Sequence, residues 1–185
     1  MARQGFASTD VVDFPPASFT AVANSVVRTN LWTPNLWSQI NAFDMKAGKS
    51  YILRCGGVYG TTATPTIIFN PTFGQSATPA SNIALGASVT VTTLTTVTNG
   101  TWYSEFVLGC RSVGVAASTS TVTGNGFVVL GGPAATASQL IGVGGTVVTT
   151  ADQTTNQGLC LDVTWGTASA SNTITAQWVM LQSLN

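Results

Sequence analysis

The side chains that could perform catalysis are few and widely spaced. The chain has no histidine, so a Ser-His-Asp triad is excluded and a cysteine nucleophile would lack its usual base. Beyond residue 54 the acidic side chains are Glu105, Asp152 and Asp162, which we place on different strands or loops. Glycoside chemistry needs two carboxylates about 5–9 Å apart. We therefore expect that the protein is not an enzyme, and that Glu105 is an exposed strand residue paired with Arg111 or a neighbour.

The three cysteines do not have the spacing of a metal site. Cys55, Cys110 and Cys160 lie roughly fifty residues apart, and no CxxC or CxxH motif occurs. We interpret them as small, partly buried apolar residues in a reducing compartment. The alternative is one disulfide between Cys55 and Cys110, which would require their Cα atoms to lie within about 7 Å.

The glycine-rich and polar segments do not predict a ligand site. Segments 124–126 and 142–145 precede no helix and lack the Lys-Ser/Thr of a phosphate-binding loop, so we predict turns or bulges. Segment 152–156 has one carboxylate and lacks the alternating acids of a calcium loop. We expect no cofactor and no metal.

Composition narrows the class of protein. The 185 residues correspond to one domain, with six basic and six acidic side chains and a net charge of zero. Charged residues make up 6% of the chain, against about 25% in ordinary soluble proteins. A basic surface for nucleic acid is absent, and the 44% hydrophobic content excludes a charge-rich disordered chain. No side chain has an ordinary pKa between about 5 and 8, so we expect stability to be nearly independent of pH in that range.

The sequence predicts a cytoplasmic site of synthesis and no membrane partner. The first ten residues contain no apolar core of a secretory signal. No run of about 18 apolar residues is present that would form a membrane helix.

Residues 1–24 differ from the remainder of the chain. Phe14 is followed by two prolines, which prevent a regular helix there, and no periodicity extends over a useful length. Phe6, Phe14 and Phe19 make the segment too apolar for a solvated tail. We predict an extended N-terminal arm over 1–24 whose phenylalanines dock on another surface, and a single domain over 25–185. The alternative is a disordered terminus.

The domain shows strand and turn patterns without a helical stripe. A strand over 50–59 is interrupted by Gly56-Gly57, which indicates a bulge or a close backbone approach. Asn99-Gly100 predicts a tight hairpin turn before a strand over 102–111. Alternation places large apolar residues on one face of each strand, with these sets predicted to face the core: Trp102, Phe106, Leu108 and Cys110; Leu159, Leu161, Val163 and Trp165; Ile174, Ala176, Trp178 and Met180.

Eight to ten such strands predict an all-β fold, either an antiparallel β-sandwich or a closed barrel, and we favour a sandwich of jelly-roll type. Its outside must be covered by Thr, Ser, Asn and Gln with little charge, which suits a molecule packed against neighbours. Trp32 and Trp37 flank Thr33-Pro34-Asn35 and are the tryptophans we expect to be most exposed. Core or interface packing is favoured for the tryptophans over a platform that stacks on sugars.

Several segments together resemble the jelly-roll structural proteins of tailed bacteriophages, especially capsid decoration (cement) proteins. The likeness extends from about Ala47 to Leu184 and is carried by Ala47-Gly48-Lys49-Ser50-Tyr51, Thr64-Pro65-Thr66-Ile67, Gly100-Thr101-Trp102, Gly109-Cys110-Arg111-Ser112-Val113-Gly114 and Leu161-Asp162-Val163-Thr164-Trp165-Gly166. The resemblance implies homo-oligomers, often trimers, seated on the lattice of the major capsid protein, and it implies no catalytic residues.

These observations lead to a specific expectation. The protein is expected to be a virion structural protein on the capsid exterior that binds the outer capsid lattice and stabilises the head. The alternative is a receptor- or glycan-binding module of a tail fibre or head fibre, and an enzyme of β-sandwich type is a remote third. The predicted interface anchors are Phe6, Phe14, Phe19, Trp32 and Trp37.

Overall fold

The computed structural model describes residues 17–34, 36–115, 119–132 and 138–184. Over these ranges the chain forms strands and a short 3-10 helix, Pro79–Ser81. The strands are β1 (Val22–Ala23), β2 (Thr29–Asn30), β3 (Gln39–Ile40), β4 (Ser50–Thr61), β5 (Thr66–Gly74), β6 (Ile83–Ala84), β7 (Val91–Thr92), β8 (Val97–Ser112), β9 (Ser120–Leu130), β10 (Gln139–Ala151), β11 (Gln157–Trp165) and β12 (Thr173–Ser183).

The strands form two antiparallel sheets. The larger sheet has the order β1-β12-β4-β8-β9-β10, and the smaller has the order β2-β11-β5-β6, with β3 beside β11 and β7 beside β5. Inward side chains from both sheets form one buried apolar cluster, the arrangement of a β-sandwich. The predicted all-β, antiparallel class is confirmed.

Alternation along β8 explains why this segment is a half-buried strand. Trp102, Phe106, Leu108 and Cys110 are buried, as predicted, whereas Val107 on the opposite face is 38% exposed. Side chains of a strand point alternately to the two faces of its sheet, so this pattern turns one apolar row toward the smaller sheet.

Strand β11 is buried on both faces. Leu159, Leu161, Val163 and Trp165 are in the apolar core, as predicted. Asp162 points the other way and is nevertheless fully buried. The segments that precede β2 and that contain the 3-10 helix cover this second face, because Arg28 reaches Asp162 and also the carbonyl oxygen of Pro79.

A β-bulge in β12 corrects the predicted face of its second half. The register passes from Ala176 opposite Gly57 to Trp178 opposite Gly56, so Gln177 is an extra residue. An added residue reverses the alternation that follows it. The core side chains after the bulge are therefore Val179 and Leu181, and the prediction that Trp178 and Met180 continue the core row was wrong.

The predicted hairpin turn at Asn99-Gly100 is absent from the described strands. Asn99 and Gly100 lie inside the continuous strand β8, where Asn99 has φ of +52° and the register with β4 shifts. The pair therefore forms an irregularity within a strand and not a hairpin turn. Residues 124–126, predicted as a turn or bulge, lie inside β9 beside the register shift with β10, and a Cβ on Gly124 would overlap the Phe106 ring. Segment 142–145 contains the start of a register shift in β10, as its glycines predicted.

Part of the predicted arm belongs to the larger sheet. Val22 and Ala23 pair with Ile174 and Thr173 of β12, and Val22 is buried. Residues 1–16 lie outside the described ranges, so the arm interpretation of that part stays a prediction.

Candidate interface residues

Three of the five predicted anchors form one aromatic cluster. The Phe19 ring lies 6.1 Å from the Trp32 ring and 5.6 Å from the Trp37 ring, which it meets edge to face. The backbone N–H of Phe19 donates to the carbonyl oxygen of Ala176 at 2.9 Å, which holds this segment along β12. Phe6 and Phe14 lie outside the described residues.

Trp32 is 3% exposed, so its predicted exposure was wrong. The N–H of Leu31 donates to the carbonyl oxygen of Leu161 at 3.1 Å, which fixes the segment beside β11, and Leu31 and Trp32 are both buried. The indole N–H of Trp32 donates to Ser38 Oγ at 2.9 Å. Phe19 and Trp37 are half-buried against the core. Within one chain, the cluster holds the N-terminal segment on its own domain.

A small cavity of about 210 Å³ lies beside this cluster. Phe19, Trp32 and Asn30 are among its lining residues. Pockets for small molecules have volumes of about 300–1,000 Å³. The cavity is below that range, and we assign it no ligand.

A buried polar cluster connects the segment before β2 to β11. Arg28 Nε donates to Asp162 Oδ2 at 2.9 Å, and Thr72 Oγ1 donates to Asp162 Oδ1 at 3.3 Å. With its amide oxygen toward Arg28, Asn70 accepts a further bond at 3.0 Å. Burial raises the pKa of Asp162 to about 6, although the charge and hydrogen bond of Arg28 act in the opposite direction. The arrangement serves as an anchor between distant segments.

Glu105 pairs across the sheet with Arg54 and not with Arg111. Arg54 Nε donates to Glu105 Oε2 at 2.7 Å, and the Tyr103 hydroxyl donates to the same oxygen at 3.2 Å. The hydrogen bond from Arg54 holds the pKa of Glu105 below its ordinary value. A low-pKa carboxylate engaged in this way is a poor general acid.

Three aromatic residues that are not among the predicted interface anchors lie around this ion pair. The Tyr103 ring is 6.1 Å from the Phe127 ring and 6.0 Å from the Trp178 ring. All three side chains are half-buried and lie on the outer face of the larger sheet. In the sequence, this cluster could have been found from the outward-facing residues of β8, where Tyr103 and Val107 lie on either side of Glu105. The bulge in β12 brings Trp178 to this face, and no residue pattern within β12 itself indicates that bulge.

The cysteines are buried thiols. Cys55, Cys110 and Cys160 are free and at most 3% exposed, so the alternative disulfide is not formed. Burial raises the pKa of Cys55 and Cys160, which keeps them as unreactive thiols. Within the described ranges, no three His, Cys, Asp or Glu side chains lie close enough together to hold a metal ion.

The described part of the chain contains no helix with the length and apolar character needed to cross a membrane. No protein-family model matches the chain, and no curated protein matches it at a significant level.

Proposed function

We propose that the protein is a virion structural protein that decorates the outer capsid lattice of a tailed bacteriophage and stabilises the head. The observation that carries the proposal is a nearly uncharged surface. Nine of the twelve charged residues lie in the described ranges, and six of these nine form three ion pairs: Arg28 with Asp162, Lys49 with Asp44, and Arg54 with Glu105. Such a surface has little charge to keep it apart from neighbouring subunits.

Exposed apolar side chains support the same proposal. Val115 is 94% exposed, Val89 77%, Leu140 74% and Leu36 66%. Single exposed apolar residues are normal, but here they occur on a surface that is poor in charge. Contact with a lattice of other subunits would remove them from water and contribute to binding.

The order of strand pairing supports the finer assignment to the jelly-roll type. Strand β1 pairs with β12, β2 with β11, β4 with β8, and β5 with β6. In this nested pattern, early strands pair with late strands. The pattern results when one long hairpin is wound into two sheets. Jelly rolls are frequent among viral capsid proteins.

The proposed partners are the major capsid protein and further copies of the chain, with a homotrimer on the capsid exterior. Each subunit would make a modest contact with the capsid, and oligomerisation would multiply the contacts. The tail-fibre or glycan-binding alternative is less well supported. It requires exposed aromatic residues at a loop end, and although Phe43 between β3 and β4 is 62% exposed, Trp32 is buried and Trp37 is half-buried.

The proposal predicts binding to capsids that depends little on salt. The purified chain is mixed with undecorated capsids of the virus that carries its gene, and the bound fraction is measured by co-sedimentation. We expect similar binding at about 0.05 M and 0.5 M salt, because few unpaired charges are available for screening.

Two results would contradict this prediction. Absence of the chain from the capsid pellet at both salt concentrations would reject decoration. Release of bound chain at about 0.5 M salt would show that ion pairs, and not apolar contacts, hold the chain on the capsid.

A further inference from the structure

The outer face of the larger sheet carries apolar side chains around the Arg54–Glu105 ion pair, and we call this surface the apolar face. It is formed by side chains of four adjacent strands: Trp178 and Met180 of β12, Ile52 of β4, Tyr103 and Val107 of β8, and Phe127 of β9. At the edge of the sheet, β10 adds Leu140, which is 74% exposed. This face is directed away from the smaller sheet, so its side chains are not part of the core between the sheets.

The register explains why the aromatic residues meet there. Gly56 lies opposite Tyr103 on one side and opposite Trp178 on the other. Because Gly56 has no side chain, the two rings approach to 6.0 Å over it. A Cβ on Gly56 would lie 3.0 Å from Cζ2 of Trp178. The glycine and the bulge together place the Tyr103 and Trp178 rings side by side on the outer face, tilted by 38° to each other. In a regular strand, Trp178 would point into the core.

The charges on this face are balanced within it. Arg54 and Glu105 stand side by side on β4 and β8 and form an ion pair at 2.7 Å. Their side chains remain 32% and 28% exposed. The face therefore offers no net charge to a highly charged partner. In a symmetric assembly, however, Arg54 of one copy can lie beside Glu105 of the next.

We propose that the apolar face is the surface through which copies of this chain associate. The chain as a whole has zero net charge, so copies do not repel one another at neutral pH. Five strands about 4.8 Å apart and three rows of outward residues about 7 Å apart give an area of roughly 500 Å². Two copies would then bury about 1,000 Å² in total, about the smallest area expected of a specific interface. The inference rests on the homo-oligomer within the proposed function and names its interface.

The test introduces a charge into the face and measures the mass in solution. The Val107→Arg variant changes a 38% exposed residue in the middle of the face, and Leu140→Arg changes a residue at its edge. Val89→Arg is the matched control, because Val89 is 77% exposed and lies between β6 and β7, outside the larger sheet. Light scattering gives the mass, and circular dichroism with thermal unfolding checks the fold of each variant.

We expect the wild type and Val89→Arg to have the mass of a closed oligomer, and both face variants to have the mass of one chain while retaining the wild-type spectrum. Burial of an unpaired arginine in the interface is the reason. If Val107→Arg does not fold, Leu140→Arg decides the question. A monomeric wild type, or folded face variants with the wild-type mass, would overturn the proposal and leave this face to another partner, such as the capsid itself.

These measurements are made without capsids, so they separate the two proposals. A monomer that co-sediments with capsids would reject the self-association face and retain decoration. An oligomer that is disrupted by Val107→Arg but does not bind capsids would retain the face and reject decoration.

Discussion

Asp162 shows how a residue's environment can override its place in an alternating pattern. Its position in β11 puts it on the side opposite the apolar core row, where a carboxylate would be expected to meet water. Arg28 and Thr72 instead enclose it, and its side chain has no exposed surface. Removal from water disfavours the ionised form, so the pKa of this group lies inside the range in which we expected no titration.

The raised pKa predicts that stability falls as pH rises through about 6. An unfolded Asp162 loses its proton near its ordinary pKa of 3.8, whereas the folded form keeps it until about pH 6. The stabilising contribution is therefore complete below about pH 4 and is lost as pH rises to 7, on the order of 3 kcal/mol. Urea unfolding at several pH values between about 4 and 7 measures the change in the free energy of unfolding.

Two variants separate this effect from the other carboxylates. Asp162→Asn should remove the pH dependence in that range, because the amide does not titrate. Glu105→Gln should leave the fall between about pH 5 and 7 unchanged. The pKa of Glu105 is lowered in the folded protein, so its contribution is present above its ordinary pKa of 4.5 and is lost as pH falls below that value. An unfolding free energy that is constant or rises between about pH 4 and 7 in the wild type would show that Asp162 is already ionised at the lower pH.

The partners of Asp162 and the burial of Trp32 could not be predicted from the sequence, because both depend on contacts between distant segments. Arg28 and Asp162 are separated by 134 positions, and nothing in either local sequence selects the other as a partner. Trp32 was expected at the surface because it borders a proline turn, but it is buried and its indole N–H bonds Ser38, while its neighbour Leu31 is bonded to Leu161. Local patterns indicate the face of a strand, whereas such pairings depend on the completed fold.

The bulge in β12 determines which side chains of that strand face the core. It reverses the alternation within one strand, so Ile174 and Ala176 before it, and Val179 and Leu181 after it, all reach the core. Opposite the bulge, Gly57 lies so close to β12 that a Cβ would overlap the carbonyl oxygen of Thr175. The predicted close approach at Gly56-Gly57 is confirmed, with the extra residue located in the facing strand.

Gly57→Ala is therefore expected to destabilise the protein. The added methyl group must displace the backbone of β12, and overpacking of this kind costs about 1–3 kcal/mol. Gly142→Ala is the matched control, because Gly142 also lies in a strand of the larger sheet and a Cβ there would meet no atom within 4 Å. Chemical unfolding of both variants gives the comparison.

The control should change the free energy of unfolding by less than about 0.5 kcal/mol. Equal small effects at Gly57 and Gly142 would mean that β12 can move away from β4 at little cost, and that the bulge does not fix the register.

The sequence predicted elements well where apolar and polar residues alternate without interruption. The row Trp102, Phe106, Leu108 and Cys110 in β8 is an example, and all four side chains are buried. The sequence-based predictions failed at two irregularities, the bulge in β12 and the Asn99-Gly100 segment of β8. Asn99-Gly100 has the composition of a hairpin turn, but its neighbours are paired with β4, so the irregular backbone is accommodated inside β8.

At the scale of the whole molecule, the fold does not depend on a covalent crosslink. Cys55, Cys110 and Cys160 are free, and the core between the two sheets is a single apolar cluster. We expect the melting temperature to be the same with and without a reducing agent. The three thiols should react with a thiol reagent slowly in the native protein and completely in denaturing urea.

A lower melting temperature in the reduced sample would contradict this expectation. Loss of a native disulfide typically costs about 2–5 kcal/mol, which such a measurement would detect. A mutant lacking Cys110 would then show whether the bond is the one considered between Cys55 and Cys110.

The pairing of β1 with β12 also has a consequence for how the chain reaches this structure during synthesis. Strand β12 lies between β1 and β4, so the larger sheet has a gap until residues 173–183 have left the ribosome. Strands near the start of the chain must wait for a partner made more than a hundred residues later, and sheets built from such distant pairings form slowly. The larger sheet is therefore completed only after β12 has been made, and the unfinished domain must remain soluble during that delay despite its low charge.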